Sequence, residues 1–574
     1  MANVEPNLEQ NIDYGYDQDE RKKYGGDNGL KYLIVDPQKG GIWNLFKFLV
    51  FHNTTSGIRF LDSSDEEEKR GAIADHRLVI LTSIIVRRIL ALIAKPLAYI
   101  GFMVDFFLNL LSENDDFIGL LVNFLHGKVV IPHRDSETFI STIGQLDGRI
   151  DLYKGDNLVK QVDDSVSAER SISMELGNRA LVDLSIMASK LAYENAKVVK
   201  NIVNNHWKMH FVDFYDCWND YQKGSNTQVF ILCDKPKDAN LIVVSFRGTE
   251  PFNACDWSTD IDFSWYEIPK AGKVHVGFLE ALGLGTRRDA HTFQYNLQRQ
   301  NRNFNYPNCD HDVTKIPSEG TETVSSATDS DKEQSTWDNS SDSEAAISSS
   351  ISNLKLEVAK KSAYYAVTMK LESLLREHKN AKFLVTGHSL GGAIAILYPT
   401  VLVIQEEMEL AERLLGVYTF GQPRVGDVKL GKFVEAHLNN PVPKYFRLVY
   451  CNDLVPRVPF DDHIFSYKHF GVCLYYDSWY YQHKMDEQPN PNFFGMRYLI
   501  PQHMNAAWEI MRSLAMGYTH GPEYKEGWFC TFFRLMGLLI PGIAAHSPRD
   551  YVNSIRLGKE RVTLSSTFKS FLHK

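Results

Sequence analysis

The segment Lys382 to Ala393, KFLVTGHSLGGA, constrains the fold more than any other part of the chain. An apolar, β-branched run leads into GHSLG, and small residues with a helix-compatible run follow it. A sharp strand-to-helix turn of this kind holds a serine hydroxyl at the top of a sheet, and flanking glycines let strand and helix approach closely. The segment therefore predicts a nucleophile elbow, with Ser389 as nucleophile and Gly387 and Gly391 as the elbow glycines.

The rest of the body alternates between strand and helix patterns. Apolar residues recur at helical spacing over Arg179 to Val203. Short β-branched and aromatic runs bounded by turn residues predict strands at Val229 to Cys233, Leu241 to Phe246, Phe383 to Thr386, Val417 to Phe420 and Phe446 to Tyr450. This alternation predicts an α/β fold, an α/β-hydrolase-like, mostly parallel sheet with helices on both faces.

A serine nucleophile needs a histidine base and a carboxylate that orients the histidine. In elbow enzymes the acid follows the serine in the chain and the histidine comes last. Asp453 lies in the turn directly after a predicted strand, where its carboxylate can reach a neighbouring loop, so we predict it as the acid. Asp461 and Asp462, further out in a polar loop, are the alternatives.

Several histidines follow the elbow and are candidates for the base: His463, His469, His483, His503, His520, His546 and His573. His546 is preferred because it follows an apolar run broken by Pro541-Gly542 and precedes a helix start at Ser547. His388 abuts the nucleophile, and we interpret it as structural.

Polar and apolar stretches divide the chain into predicted regions. Residues 1–75 are predicted as a polar leader and linker, and the charge run DSSDEEEKR at 62–70 as solvated. Residues 147–285 and 353–560 form the two parts of the catalytic body. Between them, residues 286–352 are rich in Ser, Asp and Glu and are predicted to be a disordered insertion. The aromatic run at 42–51 is either a core strand or a segment that seeks an interface.

A long apolar stretch lies at residues 78–111, but charged residues and a proline interrupt it. A clean membrane-spanning helix needs about 20 apolar residues with few charges. Breaks at Arg87-Arg88 and at Lys95-Pro96 favour a hydrophobic hairpin or interfacial helices whose basic side chains reach the surface. A buried helical pair is the alternative. We therefore predict a membrane or lipid-droplet anchoring segment at residues 76–130.

The composition of the chain indicates which kinds of binding partner and which cell compartment to expect. The 62 Lys and Arg against 71 Asp and Glu give a net charge of -9, without a basic stripe, so no nucleic acid is expected. Seven scattered cysteines without a CxxC pair argue against a disulfide framework and a zinc site. The start of the chain lacks the apolar run of a secretory signal, which favours a cytosolic location.

Further motifs identify a family resemblance: MASKLAYEN from Met187, VVSFRGTE from Val243, VHVGF from Val274, YTFGQPRVGD from Tyr418, NDLVPRVP from Asn452 and HSPRDY from His546. With the elbow, they resemble the class 3, fungal-type triacylglycerol lipases, and most of all the plant oil-body (lipid-droplet) lipases. The resemblance covers residues 147–559 apart from the insertion.

The resemblance implies that Ser389, Asp453 and His546 are catalytic and that Thr249 supplies an oxyanion donor. Thr249 closes the predicted strand Leu241 to Phe246, so we expect its backbone N–H, together with that of Leu390, to face the developing negative charge. The resemblance also implies a lid directly after the oxyanion strand, at residues 250–257 (EPFNACDW). The candidate lid residues are Pro251, Phe252 and Trp257. No metal or organic cofactor is expected for this chemistry.

The expected reaction is hydrolysis of long-chain acylglycerols, with triacylglycerol as substrate, at a lipid-droplet or membrane surface. The expected location is the cytosolic face of the lipid droplet, with the endoplasmic reticulum membrane as the alternative. A phospholipase or galactolipase is the nearest rival function, and a silent lipase-like scaffold or signalling protein is a further one. The aromatic run at 528–545 is either lipid-facing, part of an acyl groove, or a buried helix.

Overall fold

The computed structural model describes residues 31–153, 176–297, 362–439, 442–460 and 467–560. The α-helices are α1 Ile42–Val50, α2 Thr54–Ile58, α3 Glu66–Glu113, α4 Asp116–Leu125, α5 Thr142–Leu146, α6 Leu176–Leu191, α7 Ala196–Asn201, α8 Ala254–Asp260, α9 Val276–Ala281, α10 His291–Leu297, α11 Ala363–Glu377, α12 Leu390–Ile404, α13 Met408–Glu412, α14 Val428–Leu438, α15 Leu499–Thr519, α16 Trp528–Met536, α17 Pro541–Ala544 and α18 Pro548–Leu557. The strands are β1 Tyr32–Val35, β2 Leu61–Ser63, β3 His210–Asn219, β4 Gly224–Cys233, β5 Leu241–Phe246, β6 Trp265–Ile268, β7 Gly272–His275, β8 Lys382–His388, β9 Leu414–Phe420, β10 Tyr445–Tyr450, β11 Val472–Tyr476, β12 Tyr481–Met485 and β13 Lys559–Glu560.

A nine-stranded sheet forms the centre, in the order β13-β12-β11-β10-β9-β8-β5-β4-β3. Strands β5, β8, β9, β10 and β11 run parallel to one another. Strands β3 and β4 are antiparallel to their neighbours, and β12 is antiparallel to β11 and parallel to β13. All five predicted strands lie within observed strands. The predicted α/β class and the mostly parallel sheet are confirmed.

Alternating side chains of the strands build two cores, one on each face of the sheet. Ile242 and Val244 of β5 belong to the core beneath α11, α12 and α14, whereas Val243 belongs to the core beneath α6 and α18. This alternation follows from the two-residue repeat of a strand. Helices therefore cover both faces, as predicted, and the carboxyl ends of the parallel strands meet at one edge.

The N-terminal part differs from the prediction of a polar linker over residues 1–75, of which 1–30 lie outside the described residues. Strands β1 and β2 pair with β6 and β7 in a four-stranded antiparallel sheet. The charge run at 62–70 ends β2 and begins α3, where Asp65 caps the helix by accepting from Glu67 N at 2.9 Å. Acidic side chains are favoured there because they face the positive end of the helix dipole.

The aromatic run at 42–51 is the helix α1 rather than a strand. Phe48 is buried, whereas Ile42 and Trp43 are 82% and 72% exposed. The interface-seeking interpretation of this run therefore fits the structure, and the core-strand interpretation is wrong.

The apolar segment is a helical hairpin, but its breaks are not where the sequence placed them. Helix α3 has a kink at His76, which has non-helical backbone angles, but it continues through Arg87-Arg88 and Pro96. The chain turns at Asn114-Asp115 before α4. The two arginines do not reach outward to a surface. Arg87 donates to Asp262 Oδ1 and to the Val35 carbonyl, each at 2.8 Å, and Arg88 Nη2 donates to the Pro37 carbonyl at 2.7 Å.

Among the helices in the described part of the chain, none is long and apolar enough to cross a membrane. The predicted insertion lies outside the described residues from position 298 onward. Its first residues include the short helix α10.

Candidate active site

The elbow joins β8 to α12. Ser389 has φ 59° and ψ -133°, and its N–H donates to the Phe420 carbonyl at 2.8 Å. A Cβ on Gly387 would lie 2.2 Å from the backbone of Gly391, and one on Gly391 would lie 2.3 Å from the Phe246 carbonyl oxygen. Only glycine fits either position. Ser389 is 2% exposed, so a substrate needs the site to open before it can reach this hydroxyl.

Asp453 and His546 form a pair beside the elbow. Asp453 follows β10 and is fully buried, and His546 Nδ1 lies 2.9 Å and 2.8 Å from its two carboxylate oxygens. Gly421, with φ +60°, lies against both side chains, since a Cβ there would be 2.8 Å from each. The glycine of the YTFGQPRVGD motif thus makes room for the pair.

His388 supports this arrangement from behind. Its Nδ1 lies 2.9 Å from the Tyr193 hydroxyl, and its Nε2 lies 3.0 Å from the His546 carbonyl oxygen. Its ring centroid is 4.5 Å from that of His546. Burial, followed by the neighbouring His546, holds the pKa of His388 well below its usual range. A neutral imidazole with a hydrogen bond at each ring nitrogen agrees with the structural role that we infer for His388.

The rival bases are engaged elsewhere where the structure describes them. His469 Nε2 lies 2.6 Å from the Pro456 carbonyl oxygen, and His483 Nε2 lies 3.4 Å from Asp477. His503 and His520 have ring nitrogens close to polar groups of α15 itself. The remaining alternatives, Asp461, Asp462, His463 and His573, lie outside the described residues.

The loop after β5 brings Thr249 to the elbow. A Cβ on Gly248 would lie 3.0 Å from Ser389 Cβ, which shows how closely this loop approaches the nucleophile. The Thr249 hydroxyl donates to Asp260 Oδ2 at 2.8 Å. Leu390 is the first residue of α12, where backbone N–H groups are not used by the helix. Both predicted oxyanion residues therefore flank Ser389.

Two further residues touch this site and were not predicted. Asp260, at the end of α8, is buried, and burial raises the pKa of its carboxyl to about 7. The Tyr551 hydroxyl donates to Asp453 Oδ2, and burial, followed by the charge of that carboxylate, raises its pKa. Tyr551 belongs to the HSPRDY motif, five residues after His546, so the motif was the available signal. Nothing local marks Asp260.

The candidate lid residues Pro251 and Phe252 precede α8, and Trp257 lies within it. The Trp257 indole N–H donates to the Pro251 carbonyl at 3.0 Å, which folds the segment onto itself. A Cβ on Gly101 of α3 would lie 2.5 Å from Phe252 Cβ, so Phe252 rests on that helix. The segment after Thr249 therefore packs along α3.

Within the described ranges, no group of three or more His, Cys, Asp or Glu side chains is placed to hold a metal ion. A serine in an elbow, a histidine paired with a buried carboxylate, and a mostly parallel sheet that positions them together define a serine hydrolase of the α/β-hydrolase class.

Comparisons with known proteins agree with this class. The family model for "Lipase (class 3)" matches residues 317–463. A triacylglycerol lipase OBL1 of Nicotiana tabacum is 56% identical over 561 residues, or 95% of this chain and 97% of that protein. Proteins of the same name are 54% identical in Arabidopsis thaliana, over 92% of this chain and 95% of that protein, and 44% identical in Ricinus communis, with the same coverage.

The chain therefore belongs to the class 3 lipase family, and the resemblance inferred from its motifs is confirmed. Among solved structures, a Rhizomucor miehei lipase propeptide complex is 19% identical, covers 53% of this chain and 69% of that chain, and has a TM-score of 0.31.

Proposed function

We propose that this protein is a triacylglycerol lipase that hydrolyses long-chain acylglycerol esters at a lipid surface. The observation that carries the proposal is the near full-length similarity, 56% identity over 95% of the chain, to a protein named triacylglycerol lipase. The pairing of His546 with Asp453 beside the Ser389 elbow supplies the chemistry that such a reaction needs.

In the proposed reaction, His546 Nε2 takes the proton of Ser389 Oγ, and the serine oxygen attacks the acyl carbonyl carbon. Asp453 accepts from Nδ1–H, which keeps Nε2 unprotonated and stabilises the imidazolium that forms. His546 then protonates the leaving alcohol. Water attacks the acyl-enzyme with the same base, and the fatty acid leaves.

Thr249 and Leu390 are the proposed oxyanion donors, through their backbone N–H groups. Asp260 holds the Thr249 hydroxyl at 2.8 Å and is a positioning residue in this scheme. Because preorganised donors act on charge that develops only in the transition state, fixing Thr249 in advance favours the reaction.

The segment 250–257 is the proposed lid. It follows Thr249 directly, and the neighbouring Ser389 is buried in this structure. Four residues after the segment, at the end of α8, the Ile261 carbonyl accepts from Ser83 Oγ of α3 at 3.0 Å. Phe252, within the segment, rests at Gly101 further along the same helix. The lid thus lies on a helix that itself exposes apolar residues.

We place the protein at the cytosolic face of a lipid droplet, with the endoplasmic reticulum membrane as the alternative. Residues 89–100 of α3 support this, because none of them is buried and Lys95 is their single charged residue. Helix α4 has no buried residue and exposes Phe117, Ile118 and Phe124. A helix that is apolar all round, without protein around it, is stable where lipid surrounds it.

The test is fatty-acid release from emulsified triolein, side by side with phosphatidylcholine and a plant galactolipid, using purified protein and its Ser389→Ala variant. We expect triolein turnover to dominate and the variant to lose at least about three orders of magnitude. Preference for a polar lipid would replace the proposal with a phospholipase or galactolipase. Equal activity of the variant, or no release at all, would refute it.

A further inference from the structure

The C-terminal helices α15 and α16 have reversed polarity. The buried residues of α15 are Gln502, Ala506, Glu509, Ser513 and Met516, whose spacing of four and three places them on one face. Three of these five are polar. In α16 the buried residues are Cys530 and Arg534. A helix on the surface of a protein in water shows the opposite pattern, with apolar residues inside.

Large apolar side chains cover the outer faces of the same two helices. Exposed fractions are 72% for Ile500, 67% for Met504, 67% for Met511, 64% for Leu514, 53% for Phe532 and 50% for Leu535. Phe532 lies two positions after buried Cys530, so it points away from the protein. The apolar run before His546 is therefore not a buried helix, and its lipid-facing interpretation fits the structure.

Buried ion pairs account for the polar inner faces. Arg534 donates to Glu526 Oε2 at 2.7 Å and to Asp550 Oδ1 at 2.9 Å. Glu509 accepts from the Tyr450 hydroxyl at 2.9 Å, and Arg512 Nη2 donates to the same hydroxyl at 3.0 Å. The three charged residues of α15 and α16, namely Glu509, Arg512 and Arg534, all face inward, so the outer faces carry no charge.

These helices adjoin the active site and α3. Phe529 and Phe533 pack against the small core formed by Ile143, Leu146 and Tyr193, which includes two residues of α5. On its other side α5 is held by α3, since Asp105 accepts from Thr142 N at 3.0 Å. Helix α16 also leads, through α17, to His546. Helix α16 therefore lies near α3, beside the segment that leads to His546.

We infer that the outer faces of α15 and α16 form a second lipid-contacting surface, which is separate in sequence from the N-terminal segment and whose partner is the acyl-chain layer of a lipid surface. A docking site for a protein has an apolar centre with a polar, charged rim. The two outer faces carry no Asp, Glu, Lys or Arg, and the exposed histidine of α15 is His503, a composition that suits acyl chains. The inference rests on the proposed action at a lipid surface and names a further part of the molecule that makes the contact.

The test is flotation of the full chain with triolein droplets coated with phosphatidylcholine, in a Ser389→Ala background so that no product alters the droplets. The double variant Met504→Asp and Leu535→Asp places one charge on each outer face. The matched control, Met408→Asp with Val428→Asp, replaces two side chains that are 47% and 48% exposed on α13 and α14, at the opposite face of the sheet. Thermal unfolding of each protein reports whether it is folded.

We expect the Met504→Asp and Leu535→Asp protein to partition at least tenfold less to droplets than the parent, with an unchanged unfolding midpoint, and the control to change less than twofold. Equal partitioning of the two double variants would overturn the inference. A second result would also overturn the inference: the parent self-associates through these helices without lipid, and the Met504→Asp and Leu535→Asp protein is dissociated but still floats with the droplets. Flotation does not depend on hydrolysis, so failure of the proposed reaction is read separately, from triolein turnover by the wild type.

Discussion

Replacing Asp453 with asparagine tests the proposed triad at the group that sets the histidine tautomer. Oδ2 lies 2.8 Å from His546 Nδ1 and accepts from the Tyr551 hydroxyl. Oδ1 lies 2.9 Å from the same His546 nitrogen and accepts from Val455 N, also at 2.9 Å. An asparagine keeps one acceptor oxygen and gains an NH2 group. If the NH2 faced Val455 N, two buried donors would oppose each other, at a cost of about 1–3 kcal/mol.

The favoured orientation of the introduced asparagine therefore keeps its oxygen toward Val455 and turns its NH2 toward His546 Nδ1. An Nδ1–H would then oppose that NH2 group at 2.8 Å, although the retained oxygen at the Oδ1 position lies only slightly further away, at 2.9 Å. The tautomer in which Nδ1 accepts is therefore favoured, and its proton on Nε2 prevents uptake of the serine proton. Loss of this function costs about four orders of magnitude in kcat, or about 5 kcal/mol of transition-state stabilisation. We expect a loss of this size for Asp453→Asn in triolein hydrolysis followed by titration of released fatty acid.

The matched control is Asp427→Asn. Asp427 is also buried, but its Oδ1 accepts from Leu430 N at 2.9 Å as the cap of α14, and asparagine caps equally well. This variant should keep activity within about threefold. A folded and thermally stable Asp453→Asn protein that retained more than a tenth of wild-type activity would contradict the proposed role of Asp453.

Three further outcomes are expected. Gly101→Ala pushes against Phe252, because its Cβ would lie 2.5 Å from Phe252 Cβ, and should raise hydrolysis of a soluble short-chain ester several-fold. Gly71→Ala, before the kink at His76 in α3 and with open space around it, should not raise it, and equal effects would contradict the proposed lid. Arg534→Met removes one of the two arginines that pair with each of the buried carboxylates of Glu526 and Asp550, and should lose about 3–5 kcal/mol in urea unfolding. Arg376→Met, whose side chain is 74% exposed, should lose less than about 1 kcal/mol, and similar losses would argue against the buried ion pairs. Burial raises the pKa of Asp256 to about 7, so the folded chain keeps a proton that the unfolded chain loses near pH 4, and this group lowers stability as pH rises from about 4 to about 7. Asp256→Asn should flatten that fall in unfolding midpoints measured at pH 5 and pH 8, and an unchanged slope would refute the assignment.

The parts of the fold that depend on neighbouring residues were predictable. Strand β8, the elbow and the start of α12 lie in one continuous segment. Its glycines, Gly387 and Gly391, are required at the turn itself, because an added Cβ would lie only 2.2 Å and 2.3 Å from backbone atoms. The order of Ser389, Asp453 and His546 could be inferred because the elbow restricts where its partners lie in the chain.

The predictions from the sequence were wrong or incomplete where residues distant in the chain determine the local structure. Arg87 and Arg88 predicted breaks in an apolar helix, but Asp262 and the carbonyl groups near β1 bind them, so α3 continues. The charge run at 62–70 looked like a linker, whereas it supplies the cap and the first turn of α3. Asp260 was missed for the same reason, because its contact with Thr249 appears only when the loop has folded.

The reversed polarity of α15 and α16 also could not be predicted from the spacing of residues in the sequence. A spacing of three and four residues predicts a helix but does not tell which face is buried. The partners of Arg534, namely Glu526 and Asp550, show that the polar side is the inner one. Only with that side assigned does the aromatic side become an outer surface.

The most direct test of the central claim is covalent capture of the nucleophile. The purified protein, mixed with triolein emulsion, is treated with a serine-directed organophosphate such as diethyl p-nitrophenyl phosphate, and the adduct is located by peptide mass spectrometry. We predict one adduct per chain, on Ser389, with triolein hydrolysis lost in proportion to labelling. An adduct on another residue, or full labelling of Ser389 with hydrolysis unchanged, would contradict the account.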